Sequence, residues 1–168
     1  MSLSRAGALT VGATGFTVGL LRLTYWWVHR KDGPGVGYLD GEPMSLVLVT
    51  IDGKPVESRT ADAYLRMCSA AAADGVKLKV ASGFRTMAEQ EHFFECYQSG
   101  ECNDGHYAQR PGYSEHQSGR ALDLNTRTPG VQVWLLAHAR EYGFYATVPG
   151  EPWHWEYWES PPFWSAAV

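Results

Sequence analysis

Hydrophobic and polar positions alternate in short blocks along most of the chain, and the blocks change period several times. Ser45 to Ile51 is an apolar, β-branched run followed by Asp52-Gly53, which predicts a strand turning into a hairpin. Ala61 to Ala73 is rich in alanine, sets Tyr64, Leu65, Cys68 and Ala72 on one face at helical spacing, and stops at Gly75. Val76 to Ala81 alternates valine and leucine with lysine, the pattern of a half-buried strand. Thr86 and Glu89 form a capping-box pair that opens a second helix through about Tyr97. A polar loop runs from Ser99 to Ser114, and a strand follows over Arg120 to Leu124. Thr128 and Pro129 predict the start of a third helix, ending at Gly143. Phe144 to Thr147 and Trp153 to Tyr157 read as strands. Strands and helices mix without strict βαβ order, so the expected fold class is α+β: a small domain with a central antiparallel sheet flanked by helices.

The first residues differ from the rest. Ala6 to Leu21 is uncharged and carries Gly7, Gly12, Gly15 and Gly19, while His29-Arg30-Lys31 closes the segment. It resembles the apolar part of an export signal without a clean cleavage site, and Gly15 with Gly19 would suit packing in a membrane. Gly33 to Gly37 reads as a linker. The expected organisation is therefore an N-terminal segment and linker over 1–37 and a domain over 38–168, the first part being either a functionally silent extension or a segment for membrane contact or export.

Composition narrows the function. The 168 residues suffice for one full core, and 45% apolar with 19% charged residues is ordinary for a folded domain. A net charge of -4 argues against nucleic acid as a partner, which would need clustered lysine and arginine. Eighteen glycines, nine prolines and seven tryptophans suggest strands and shaped loops around a cleft. Of three cysteines, Cys96 and Cys102 could close a short loop or remain thiols, and Cys68 reads as a small buried residue.

Three segments carry candidate chemistry: Ser82-Gly83-Phe84-Arg85-Thr86, Ser114 to Asp123, and Glu151 to Trp155. His116, Asp123 and His154 offer two imidazoles and a carboxylate, a set that suits zinc with a fourth position left for water. His116 and Asp123 are too far apart for one helical turn and must meet through a loop that turns at Gly119 into a strand. Alternation in the last strand aims His154 and Glu156 one way and Trp153, Trp155 and Tyr157 the other. Glu151 could act as general base beside the metal, and Arg85 could clamp a carboxylate or stabilise an oxyanion. Every one of these residues also has a structural reading, as strand-end polar groups or, for Arg85 and Glu115, as a surface ion pair. His29, His92, His106 and His138 show no partner pattern.

The stretch Y-A-Q-R-P-G-Y-S-E-H-Q-S-G-R-A-L-D-L, from Tyr107 to Leu124, closely resembles the zinc D-Ala-D-Ala carboxypeptidases of the vancomycin-resistance type. That group shares its fold with lysostaphin-type endopeptidases and the Hedgehog domain. S-G-F-R-T, S-x-H-x-x-G-x-A-x-D and E-x-W-H occur in the family's order, and the resemblance spans roughly Val47 to Tyr157. It implies one Zn2+ held by His116, Asp123 and His154 in a groove on the sheet, Glu151 as catalytic base and Arg85 as the substrate-binding arginine. Ser82, Gln90, Ser114 and Gln117 fall on the motif positions around the substrate. The implied activity is hydrolysis of amide bonds in peptidoglycan stem peptides, in the periplasm or cell wall, with removal of terminal D-alanine favoured. The same motifs would serve a dipeptidase, or an L-Ala-D-Glu or cross-link endopeptidase carried by a phage or secretion device. A zinc-binding recognition domain without turnover is the reading from another class. No obligate protein partner is implied.

Overall fold

The computed structural model describes residues 33–162 apart from 103 and 105. The expected export or membrane segment lies outside the described residues, and no described helix is long and apolar enough to cross a membrane.

Two antiparallel sheets, not one central sheet, build the α+β fold. The first has the order β1 (Gly33–Leu39), β2 (Glu42–Ile51), β3 (Lys54–Glu57). Its second turn is the expected Asp52-Gly53 hairpin: both residues have positive φ, as a two-residue turn that follows strand twist requires. Gly33 to Gly37 is not a linker. It is the first five residues of β1, paired with Met44 to Leu48, because a long neighbouring strand offers partners to the backbone groups that face it and overrides weak local propensity.

Helix α1 (Ser58–Ala73) follows at once. Glu57 caps it, accepting from the Arg59 and Thr60 amides at 2.9 and 3.0 Å. The buried face is Thr60, Ala63, Tyr64, Met67 and Ala71. This rotates the expected stripe by about one residue, leaving Ala72 exposed and Leu65 and Cys68 only half-buried. Tyr64 and Met67 are among the largest fully buried side chains, and leaving water contributes roughly 1.5–3 kcal/mol for Met67.

The second sheet has the order β4-β5-β7-β6, from β4 (Val80–Ser82), β5 (Ala121–Leu124), β6 (Phe144–Tyr145) and β7 (His154–Tyr157). β4 is shorter than the expected Val76 to Ala81, although Leu78 and Val80 are buried as the alternation required. Helix α2 (Met87–Ser99) carries both halves of the Thr86–Glu89 capping box and ends at Gly100. Cys96 and Cys102 are joined in a disulfide, which settles the open alternative, and Cys68 is a free thiol. Helix α3 (Glu115–Ser118) is one turn long and packs on β1 and β5, so it ties the two sheets together. Helix α4 (Val131–His138) starts later than expected, behind Gly130 and without a side-chain cap. Thr128 is used otherwise, its hydroxyl accepting from Asn125 Nδ2 at 3.2 Å. A 3-10 turn over Ala139–Tyr142 completes the run to Gly143.

Candidate functional site

Sheet register brings the three expected ligands together. On β5 and β7, Asp123 is directly opposite His154, so both side chains leave the same face of the sheet. His116 arrives from α3. Ser114 caps that helix through its hydroxyl, and Gly119 ends it with φ of 81° before the chain enters β5. A Cβ on Gly119 would stand 2.6 Å from the Glu57 Cβ, so both the dihedral and the space demand glycine.

His116 Nε2 and His154 Nδ1 lie 3.5 and 3.4 Å from Asp123 Oδ1. Those separations are the edges of a coordination tetrahedron, since zinc bonds of about 2.0–2.1 Å place neighbouring ligands about 3.3–3.4 Å apart. Asp123 Oδ1 is buried and has no hydrogen-bond partner. A buried carboxylate oxygen left so costs free energy unless something positive completes it. The ring nitrogens on the far side are both engaged: His116 Nδ1 is 2.8 Å from the Gly83 carbonyl and His154 Nε2 is 3.2 Å from Glu156 Oε1. Residues, distances and the orphaned oxygen all fit one zinc ion.

The same groups shape the local charge. Burial opposes ionisation of Asp123, but the imidazoles of His116 and His154 beside it prevail and hold it well below the usual carboxylate range. Burial would also lower His154, yet Asp123 and Glu156 outweigh it and raise the imidazole to about 9. Glu156 is pushed up by burial and pulled further down by His154, ending below its ordinary value.

The centre opens into a cavity of about 340 Å³ lined by Ser82, Arg85, Ser114, Glu115, Glu151 and the three ligands, with Phe93, His106, Tyr107 and Trp153 on its walls. Arg85 is held from several sides. Its amide donates to the His116 carbonyl, its guanidinium donates to Gln90 Oε1 at 2.8 Å, and it lies 4.3 Å from the Phe93 ring centroid. Burial lowers its pKa against the carboxylates of Asp123, Glu89 and Glu151, and a guanidinium remains cationic throughout. Glu151 is half-buried, and among the described residues its carboxylate has no hydrogen-bond partner.

Two expected substrate residues stand elsewhere. Gln90 is fully buried behind Arg85, where its amide nitrogen donates to the Gln109 carbonyl at 2.6 Å. Gln117 is fully buried too, and its Oε1 accepts from the Gly112 amide at 2.7 Å. Neither lines the cavity. Arg85 and Glu115 are not an ion pair: Glu115 faces Arg120 at 3.7 Å and the Ser118 hydroxyl at 2.5 Å. Trp153 and His106, expected away from the site, meet at its wall with ring centroids 6.2 Å apart. Trp153 escapes the alternation because β7 begins one residue later. Strand alternation puts Glu156 on the correct face, and its i, i+2 spacing from His154 is the one sequence signal for the contact between them.

Comparison with known proteins gives a consistent family. The VanY family, D-alanyl-D-alanine carboxypeptidase, matches residues 53–160. YodJ of Bacillus subtilis is 29% identical over 147 residues, covering 69% of this chain and 54% of YodJ. A D-alanyl-D-alanine carboxypeptidase of Enterococcus faecalis is 29% identical over 132 residues, covering 63% of this chain and 49% of that protein. The chain thus spans about half the length of the curated relatives it matches. Among solved structures, the LdcB LD-carboxypeptidase superposes with a TM-score of 0.54 at 29% identity, over 61% of this chain and 59% of the other. VanYB in complex with D-alanine-D-alanine gives 0.53 at 24% identity, over 76% and 78%, a likeness of fold.

Proposed function

Since the chain belongs to the VanY family of D-alanyl-D-alanine carboxypeptidases, we propose that it is a zinc-dependent peptidase that removes the terminal D-alanine from peptidoglycan stem peptides. The observation that carries this reading is the convergence of His116 Nε2, His154 Nδ1 and the unpartnered Asp123 Oδ1 in one cavity with Arg85 and Glu151. Zinc held by His116, Asp123 and His154 would supply Lewis acidity to the scissile amide carbonyl and the attacking water.

The chain's own residues do the rest. Glu151, whose carboxylate is free and faces the cavity, takes a proton from the attacking water and returns it to the leaving amine. Glu156 is unsuited to that role, because His154 and Trp158 occupy both of its oxygens. Arg85, already fixed by Gln90 and Phe93, is free to meet the terminal carboxylate of the peptide, which selects chain ends over internal bonds. Ser82 and Ser114 offer hydroxyls on the same wall. Gln90 and Gln117 act through the groups they hold. A free base in the cavity also weighs against a zinc-binding domain without turnover.

Such an enzyme works where stem peptides are, in the periplasm or cell wall. One observation favours a second specificity: the LdcB likeness reaches 29% identity, and LdcB is an LD-carboxypeptidase, which would take a stem tetrapeptide instead of a pentapeptide. Mass spectrometry of free pentapeptide, tetrapeptide and purified sacculi after digestion separates these. The expected result is loss of one alanine from the pentapeptide, abolished by a chelator and restored by zinc. Loss from the tetrapeptide alone would move the specificity to the LD bond, and cleavage at internal bonds would overturn the carboxypeptidase reading.

A further inference from the structure

The two imidazoles of the centre are backed differently. His116 turns Nε2 inward and keeps Nδ1 2.8 Å from the Gly83 carbonyl, a neutral acceptor. His154 is reversed, with Nδ1 inward and Nε2 3.2 Å from Glu156 Oε1. Glu156 is 7% exposed and its second oxygen accepts from Trp158 Nε1 at 3.2 Å, so it is a buried carboxylate fixed at both oxygens. Strand period puts it there: β7 sets His154 opposite Asp123 and Glu156 opposite Ala121 on one face, and the small, fully buried Ala121 leaves the carboxylate room to turn toward its neighbour.

We propose that Glu156 is a positioning residue for the metal, a carboxylate that fixes the tautomer of His154 and supplies the second negative charge of the centre. This rests on the reading of His116, Asp123 and His154 as a zinc site. An imidazole that ligates through one nitrogen carries its proton on the other, so the acceptor behind the ring decides which nitrogen faces the ion. The Gly83 carbonyl selects Nδ1–H for His116, and Glu156 selects Nε2–H for His154. The two histidines therefore ligate as opposite tautomers. Charge gives the second reason. Zinc with its three ligands alone would carry a net charge of about +1. Glu156, the carboxylate against a ligand ring, brings that group to zero, and it does so behind one ring only.

Two measurements test this. In zinc-loaded wild type, long-range 15N–1H correlation spectra should show His154 bound through Nδ1 with its proton on Nε2, and His116 the reverse. Both rings in the same tautomer would overturn the proposal, whether or not any variant folds. Zinc affinity, read by competition with a chromophoric chelator, should fall about 10–100-fold in Glu156→Gln. Glu115→Gln removes a negative charge from the same cavity without touching an imidazole, and should stay within about threefold of wild type if position matters beyond total charge. Equal losses in the two variants, or a Glu156→Gln affinity matching wild type, would contradict the assignment. Wild type that binds no zinc would instead sink the underlying site.

Discussion

The two sheets use the same antiparallel geometry for opposite ends. In β1-β2-β3 the side chains are divided between a buried apolar face and solvent: Val49, Ile51 and Val56 are in the core, while Val36 and Val47 are about half exposed. What this sheet lends the site is backbone and a cap. The Pro55 carbonyl accepts from the Phe84 amide, and Glu57 holds the start of α1. In β4-β5-β7-β6 the interior also holds charge. Asp123 and Glu156 are largely buried there with His154, an arrangement that costs free energy unless a cation completes it. Both sheets feed the core, the second through Val80, Leu122, Leu124, Phe144 and Trp155, but the second also gathers charge. Substitutions of apolar residues in either sheet should therefore register in stability, and those of the charged groups on the second in zinc and turnover.

The largest effect expected is at Glu151. Glu151→Gln should retain zinc and lose about 10²–10⁴-fold in kcat, and near-wild-type turnover would remove it as the base. Arg85→Ala should cost about 10²–10³-fold in kcat/KM on peptides with a free terminal carboxylate, and far less on internally cross-linked substrates. An equal loss on both substrates would reassign Arg85 from carboxylate clamp to oxyanion stabiliser.

Gly119→Ala joins the two regions, because its strain falls between Glu57 of one sheet and β5 of the other. It should destabilise the protein by about 1–3 kcal/mol in chemical denaturation and weaken zinc through displaced His116. A neutral substitution would mean that α3 is not held as described.

The pH dependence of metal binding follows from His154. Its pKa is raised to about 9, so the metal-free protein carries a proton there that zinc must displace. Apparent zinc affinity should rise about tenfold per pH unit up to roughly pH 9 and then flatten. A flat profile from pH 6 to 9 would remove the His154 proton from the exchange. At the small end, Val47→Thr on the exposed side of the first sheet should stay within about 0.5 kcal/mol of wild type and leave zinc affinity unchanged.

The legible parts of the sequence were those whose signals are local. Asp52-Gly53 forced a two-residue hairpin, Thr86 and Glu89 made a capping box, and alternation in His154-Trp155-Glu156 put two polar groups on the metal's side of β7. What escaped depended on distant partners. Gly33 to Gly37 has the composition of a linker and becomes a strand only because β2 pairs with it. Glu57 caps α1 although the alanine run suggested a later start. Gln90 and Gln117 match motif positions near the substrate, but their amides are buried against backbone, Gln90 also holding Arg85, so neither lines the cavity. His106 came to the cavity wall through a loop whose path no periodicity encodes.

One zinc ion, bound where the second sheet gathers its charge, is the centre on which the site depends. Crystals grown with zinc and measured on both sides of its absorption edge test that directly. A single anomalous peak within about 2.0–2.2 Å of His116 Nε2, Asp123 Oδ1 and His154 Nδ1 is the predicted result. A saturated crystal with no peak among those three atoms would contradict it.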